Sequence, residues 1–294
     1  MNANKSTSGR TFTRHVAPFA PLALALAMSA VPQRTAGPQE PGGPTEATAV
    51  TCDEVLDFQD CHTRYPTGCS AAAGYDPALN LLKNRLIPPP GPEPVKYLTR
   101  EDVKNLDANT PSGLTAHNHA DFQEDLQKMG EGQIYGIVGY LFYFQPTSAE
   151  STNCQLTGPV GQLNPQDDYT NVDFHIGIGF EDPSNNKFSK HQGQQNSVIV
   201  EMTPYSRFLY ENGVWTLDNL QKAQNKPVRV VGQLMVDSEH NVPTQNCALA
   251  ETTDQLAKCW RASAWELHPV VRFQVCRSGT CTANSEGWVD LGQL

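Results

Sequence analysis

The segment from Arg261 to Cys276, RASAWELHPVVRFQVC, is the part of the sequence that most clearly indicates the fold. Apolar and polar side chains alternate along it: the apolar set is Trp265, Leu267, Val271, Phe273 and Val275, and the polar set is Glu266, His268, Arg272 and Gln274. A period of two is typical of a β-strand that buries one face. We therefore expect a strand with one core face and one polar face.

Four further segments upstream have the composition of strands. They are Gln133 to Gln145, Val172 to Phe180, Ser197 to Thr203 and Val228 to Asp237. A helix is expected between the third and the fourth, because Thr216 is a suitable N-cap, Leu217, Leu220 and Ala223 follow at helical spacing, and Pro227 stops the pattern.

This order of three strands, one helix and two strands resembles the OB-fold, a five-stranded Greek-key barrel, over about residues 133–276. The predicted fold class is mainly β with an α-helical N-terminal extension. The two longest connections, 146–171 and 241–262, fall where such barrels usually embrace a ligand. A β-sandwich and a sheet with helices on one face are also compatible with the strand count.

The remaining segments define the predicted domain organisation. Residues 1–30 have the basic start and apolar run of a signal peptide, with an uncleaved anchor as the alternative, and 31–50 have the composition of a disordered linker. Residues 51–130 are expected to form a helical, disulfide-pinned extension with helices near Asp76, Thr99 and Asp121. Residues 131–276 are the expected barrel and 277–294 a C-terminal tail.

The cysteines indicate an oxidising compartment. All lie beyond the signal segment and their number is even, which favours disulfides and a secreted or periplasmic location; they are Cys52, Cys61, Cys69, Cys154, Cys247, Cys259, Cys276 and Cys281. Spacing cannot fix the pairing, but Cys247–Cys259 and Cys276–Cys281 are plausible local pairs. No membrane span is expected once the signal is cleaved.

The charge of the chain limits its partners. The formal net charge is −10 and no basic stripe is present, so nucleic acid is a disfavoured partner. An extracellular protein, a glycan or a small ligand is the expected partner.

Ionisable side chains gather at the ends of the predicted strands and form the candidate site. They are Asp173, His175, Glu201, Asp237, His240, Glu266 and His268. Histidine and carboxylate ligands suit zinc, manganese or calcium, so a divalent metal is the candidate cofactor. The OB order predicts two groups, one from the last two strands and one from the second and third. The alternative is that these side chains only cap strand ends.

The segment His117-Asn118-His119-Ala120-Asp121 resembles the His-x-His-x-Asp metal motif of the metallo-β-lactamase family. It departs from that family because Phe122 replaces the next histidine and no strand precedes it. The alternatives are a chance match, a helix cap or an isolated metal clamp.

Four short segments are similar in sequence to a class of exported bacterial proteins of unassigned role. They are Asp173-Phe174-His175, Val200 to Pro204, Asp237 to His240 and Trp265 to Val270. That resemblance implies no activity. The expected function is therefore a secreted, disulfide-stabilised binding module that recognises its ligand through the two long loops. The alternative is an extracellular, nuclease-like metal-dependent hydrolase that uses the His/Asp/Glu cluster, and the residues leave open whether the protein is an enzyme.

Overall fold

The structure is a computed structural model that describes residues 77–147, 172–207 and 214–294, apart from 84, 86, 88–89, 92–94 and 186–187. Residues 1–50, where the signal peptide and the linker are predicted, and four of the cysteines (Cys52, Cys61, Cys69 and Cys154) lie outside the described residues. None of the described helices is long and apolar enough to cross a membrane.

The described helices are short. They are α1 (Pro77–Lys83), α2 (Arg100–Asn109), α3 (Gln123–Lys128), α4 (Lys190–Gln195), α5 (Leu217–Ala223) and α6 (Thr253–Lys258). Turns of 3-10 helix occupy His119–Phe122, Ser238–His240, Cys247–Leu249 and Leu291–Gln293. Helix α2 begins with a capping box, in which the Thr99 side chain accepts from the Asp102 amide and the Asp102 carboxylate accepts from the Thr99 amide.

The strands are β1 (Lys96–Leu98), β2 (Ile134–Pro146), β3 (Phe174–Gly179), β4 (Ser197–Met202), β5 (Pro227–Val236), β6 (Trp265–Cys276) and β7 (Trp288–Asp290). Strands β2 to β6 form a closed barrel in the order β2-β3-β4-β6-β5 and back to β2. The pairs are antiparallel except β4–β6, which is parallel. The expectation of a mainly β chain with a five-stranded OB-like barrel is confirmed.

Helix α5 lies between the third and fourth barrel strands along the chain, where the sequence predicts it. Thr216 accepts from the Asn219 amide at the start of α5, which confirms the predicted N-cap. Two outer strands extend the sheet: β1 pairs with β2, and β7, within the segment 277–294, pairs with β6.

The barrel interior is filled from alternate positions of the strands. The contributing side chains include Ile137, Leu141, Phe174, Ile176, Ile178, Val198, Val200, Met202, Val228, Val230, Leu234, Trp265, Leu267, Val270, Phe273 and Val275. On β4 the interior positions are therefore even-numbered, and Ile199 and Glu201 lie on the outer face of the barrel. This alternation decides where the ionisable side chains lie.

Strand β6 departs from the predicted pattern in two ways. The expected polar face is wrong for its first half, because Glu266 and His268 are completely buried. The core position passes from Leu267 to Val270 instead of Val271, since β6 and β5 shift register around Gly232. Arg272 and Gln274, in the second half, remain partly exposed as expected.

The two local disulfides predicted from spacing are confirmed. Cys247 bonds to Cys259 within the connection between β5 and β6, and Cys276 bonds to Cys281 at the end of β6. The first bond closes a segment that ends directly before Trp260 and Arg261, two residues of the candidate site.

Candidate functional site

All the residues of the candidate site come to one region on the outer face of the barrel. The reason is the closing pair of strands: β4 lies between β3 and β6, with His175 opposite Glu201 on one side and Val200 opposite Leu267 on the other. One residue along from Val200 and Leu267, the side chains of Glu201 and His268 face each other between β4 and β6, and Glu201 also faces His175 on β3. The two groups that the sequence predicts therefore form a single site.

We use the name ionic cluster for seven buried side chains: Lys83, Asp173, Glu201, Asp237, Arg261, Glu266 and His268. Lys83 is 4% exposed and the other six are fully buried. Burial of so many charged groups costs several kcal/mol for each unpaired ion, so they must pair with one another or hold a ligand.

His268 lies at the centre of the ionic cluster. Its Nδ1 is 3.3 Å from Glu266 Oε1, a hydrogen bond, and 3.1 Å from Glu201 Oε2. Its Nε2 lies 3.9 Å from Asp173 Oδ2, too far for a hydrogen bond, and has no hydrogen-bond partner within the described residues. Burial alone would lower the pKa of His268, but the surrounding carboxylates, Glu201 first, raise it well above its usual value.

Glu201 joins the ionic cluster to the surface. Its Oε1 lies 2.7 Å from Nε2 of His175, whose side chain is 12% exposed. Both carboxylate oxygens are close to ring nitrogens but outside hydrogen-bond geometry. Burial would raise the pKa of Glu201, but the two neighbouring imidazoles outweigh it and hold the pKa well below its usual value, so this carboxylate is ionised.

Asp237 is the second carboxylate that connects the ionic cluster to a partly exposed histidine. His240 Nδ1 lies 2.6 Å from its Oδ2, which is also 3.4 Å from Lys83 Nζ and 3.5 Å from an Arg261 amino nitrogen. Burial would raise the pKa of Asp237, but interaction with its neighbours, His240 first and then Lys83 and Arg261, holds it well below its usual value. Asp237 also accepts from the Glu239 amide, which fixes the turn that carries His240.

Arg261 connects the two halves of the ionic cluster. Its other amino nitrogen lies 3.1 Å from Glu266 Oε2, and its guanidinium carbon lies 4.7 Å from the centre of the Trp260 ring. Trp260 also contacts two partly exposed imidazoles, with ring centres 6.3 Å from His175 and 5.2 Å from His240. The second long connection thus covers the ionic cluster and borders its opening.

Three sets of described residues have ligand atoms close enough to share a cation. They are Asp173 with Glu201 and His268, Glu201 with Asp237 and Glu266, and Asp237 with Glu239 and His240. Arg261 already occupies the second set, because it pairs with both Asp237 and Glu266. The first set fits a divalent cation best, since it contains the imidazole nitrogen that has no hydrogen-bond partner.

The His-x-His-x-Asp segment does not form a metal clamp with this site. His117 and Asp121 are exposed, whereas His119 is buried between Ser238 and Glu131. No described set of candidate metal ligands includes any of the three.

Sequence reasoning missed Lys83, Trp260 and Arg261 as members of the site. Lys83 stands four residues after buried Leu79 on α1, so helical spacing could have placed it on the buried side. Arg261 opens the stretch that decides the fold but precedes its alternating part. No local pattern shows that its side chain turns toward Asp237.

No family model, no curated protein and no solved structure matches this chain. Its class is therefore defined by its own fold and site: an OB-like barrel that carries a buried ionic cluster on its outer face.

Proposed function

We propose that this protein is an exported hydrolase that uses one divalent cation. Asp173, Glu201 and His268 would hold the cation, and it would supply Lewis-acid activation of the bond to be cleaved. The observation that carries the proposal is the buried His268 Nε2, which has no hydrogen-bond partner within the described residues and lies 3.9 Å from Asp173 Oδ2. Buried polar atoms are nearly always paired, so an exception at such a site favours a ligand.

His240 is the proposed general base. Its Nδ1 is held by the Asp237 carboxylate, and the ring remains 25% exposed, so its other nitrogen can exchange protons with a substrate or water. A carboxylate behind a histidine fixes the orientation of its ring. The disulfides support the exported location.

Metal titration tests this proposal. We expect purified protein to bind one equivalent of zinc, manganese or calcium by calorimetry, and Glu201→Gln to weaken that binding at least tenfold because it removes a charged ligand. Binding should tighten as the pH rises, since His268 must lose a proton to coordinate. Hydrolysis of a chromogenic phosphodiester should stop when a chelator is added.

The control variant is His117→Ala, which removes an exposed histidine outside the ionic cluster and should leave metal binding unchanged. Folding of every variant is checked by circular dichroism. A wild-type protein that binds none of the three metals, or a Glu201→Gln variant that binds them equally well, contradicts the proposal.

A non-catalytic binding module remains the second candidate, and one observation favours it. The connection 241–262 is held by Cys247–Cys259 and places Trp260 at the opening of the cluster, as a ligand-binding loop would. A metal-free protein that binds a glycan or a small ligand, with loss of binding in Trp260→Ala, would support this candidate.

A further inference from the structure

Besides His268, two hydrogen-bond donors in the same region lack a partner within the described residues. They are the Tyr143 hydroxyl and the Arg261 Nε–H, and both atoms are buried. Arg261 uses its two amino nitrogens for Asp237 and Glu266, which leaves only Nε unused. Buried hydrogen-bond donors are nearly always paired, so two unpaired donors in one region call for an acceptor.

The position of the Tyr143 ring is fixed by its packing against the neighbouring strand. Its ring covers Gly177 on the neighbouring strand, where a Cβ atom would lie 2.0 Å from the ring carbon Cε1. Tyr143 lies in an apolar cluster with Ile199 on the outer face of the barrel, and Trp260, which stacks on the Arg261 guanidinium, packs against that cluster. Burial raises the pKa of Tyr143, so the hydroxyl keeps its proton and serves as a neutral donor.

The Tyr143 side chain also reaches the surface. It forms part of the wall of a cleft of about 870 Å³, together with Phe142, Phe188 and Gln224. Phe142 and Phe188 pack with ring centres 5.4 Å apart. Tyr143 therefore has its ring in the wall of this cleft, whereas its hydroxyl is buried.

We propose that Tyr143 and Arg261 form an oxyanion subsite, which binds a negatively charged oxygen of a carboxylate or phosphate group beside the proposed cation. The inference rests on the proposed hydrolase, whose substrate would then be an ester of a carboxylic or phosphoric acid. Donors fixed before the reaction stabilise charge that develops on oxygen, and the neutral Tyr143 hydroxyl and the cationic Arg261 are of that kind.

Cobalt spectroscopy tests the subsite with product-like probes. Wild-type protein loaded with Co²⁺ is titrated with inorganic phosphate and, separately, with acetate, while the visible absorption of the metal is recorded. We expect one of the anions to change the spectrum, and Tyr143→Phe to weaken that anion about tenfold while its Co²⁺ affinity stays within twofold. The anion that responds assigns the acid class.

Tyr140→Phe is the matched control, because it removes a hydroxyl from the same strand that interacts with Asp182 instead. The Tyr143 hydroxyl has no partner to lose, so Tyr143→Phe should melt at the same temperature as wild type or higher. Equal anion affinity in wild type and Tyr143→Phe, or no spectral response to either anion, overturns the subsite.

The two proposals fail in different ways. Absence of a Co²⁺ spectrum in wild type overturns the hydrolase proposal. Calorimetric titration of the metal-free protein with phosphate and with acetate then tests the subsite alone. Binding that depends on Tyr143 supports it, and equal binding or none in both proteins overturns it.

Discussion

Two completely buried histidines, His119 and His268, both lie beside a carboxylate but differ in their hydrogen bonding. His119 has Nδ1 at 3.0 Å from the Ser238 hydroxyl and Nε2 at 3.1 Å from Glu131 Oε2, so both ring nitrogens are paired. His268 has only Nδ1 paired, and its Nε2 has no hydrogen-bond partner within the described residues.

Pairing of both ring nitrogens distinguishes a structural histidine from a candidate ligand. Glu131 also accepts from the Val236 amide, so His119 and Glu131 together hold the end of β5 against the turn at Ser238. Nothing in that arrangement needs a further partner. At His268 the surroundings are richer in charge but less complete in hydrogen bonds, which is the pattern of a binding site.

The largest expected effect comes from removing the cation that joins the ionic cluster. Arg261→Met leaves Asp237 and Glu266 with fewer partners in a buried setting, and such a loss costs about 3–5 kcal/mol of unfolding free energy. Urea denaturation followed by fluorescence measures it. Arg100→Met is the control, since its ion pair with Glu181 is exposed and should contribute less than about 1 kcal/mol. Equal losses in the two variants would show that the cluster is not stabilised by Arg261.

A smaller effect separates the two histidines directly. His119→Leu removes both hydrogen bonds and should lower the unfolding free energy by about 1–3 kcal/mol while metal affinity is unchanged. His268→Leu should abolish metal binding measured in the same titration. If His119→Leu also abolished metal binding in a folded protein, the distinction between the structural and the ligand histidine would be wrong.

The smallest effect concerns Asp107, a largely buried carboxyl that is well hydrogen-bonded. It accepts from Asn246, Ser263 and the Ala264 amide, yet burial raises its pKa from 3.8 to about 6. The folded state therefore holds this proton over a pH range where the unfolded chain has lost it. Its contribution to stability is present at low pH and is lost as the pH rises through about 6.

Asp107→Asn removes that dependence. Since one pKa unit corresponds to about 1.4 kcal/mol and the group is partly exposed, we expect the variant to gain about 1–2 kcal/mol over wild type on going from pH 5 to pH 7.5. Thermal melts at the two pH values measure the gain. Asp182→Asn should show none, because the Ser184 hydrogen bonds hold the pKa of Asp182 below its usual value, outside this window.

The barrel was predictable because its signals are local. Alternation marked the five barrel strands within a few residues, and Thr216 and Pro227 marked the helix between them. Strand β7 was missed because it is only three residues long, and helix α4 was missed because its sequence is almost entirely polar. The structure of these two elements depends on strand pairing and tertiary packing, so their local hydrophobic pattern does not predict them.

The candidate site was predictable in its members but not in its geometry. Its imidazole and carboxylate groups stand at strand ends, which the sequence shows, but their convergence depends on β4 and β6 becoming neighbours. Arg261, from the segment 241–262, pairs with Glu266, and Lys83 reaches Asp237 from α1, 154 residues away along the chain. The contacts with Lys83 and between β4 and β6 join segments far apart in sequence, so no local pattern contains them.

The parallel contact between β4 and β6 is the closing seam of the barrel, and it is short. Only Val200 and Leu267 pair there, whereas β3 and β4 pair along their whole lengths. The next side chains, Glu201 and His268, bridge the seam at 3.1 Å. At this point the barrel is thus closed more by the side-chain contact between Glu201 and His268 than by backbone pairing. The exchange of amide hydrogens beside the seam would report how often the barrel opens there, and with what frequency the ionic cluster meets solvent.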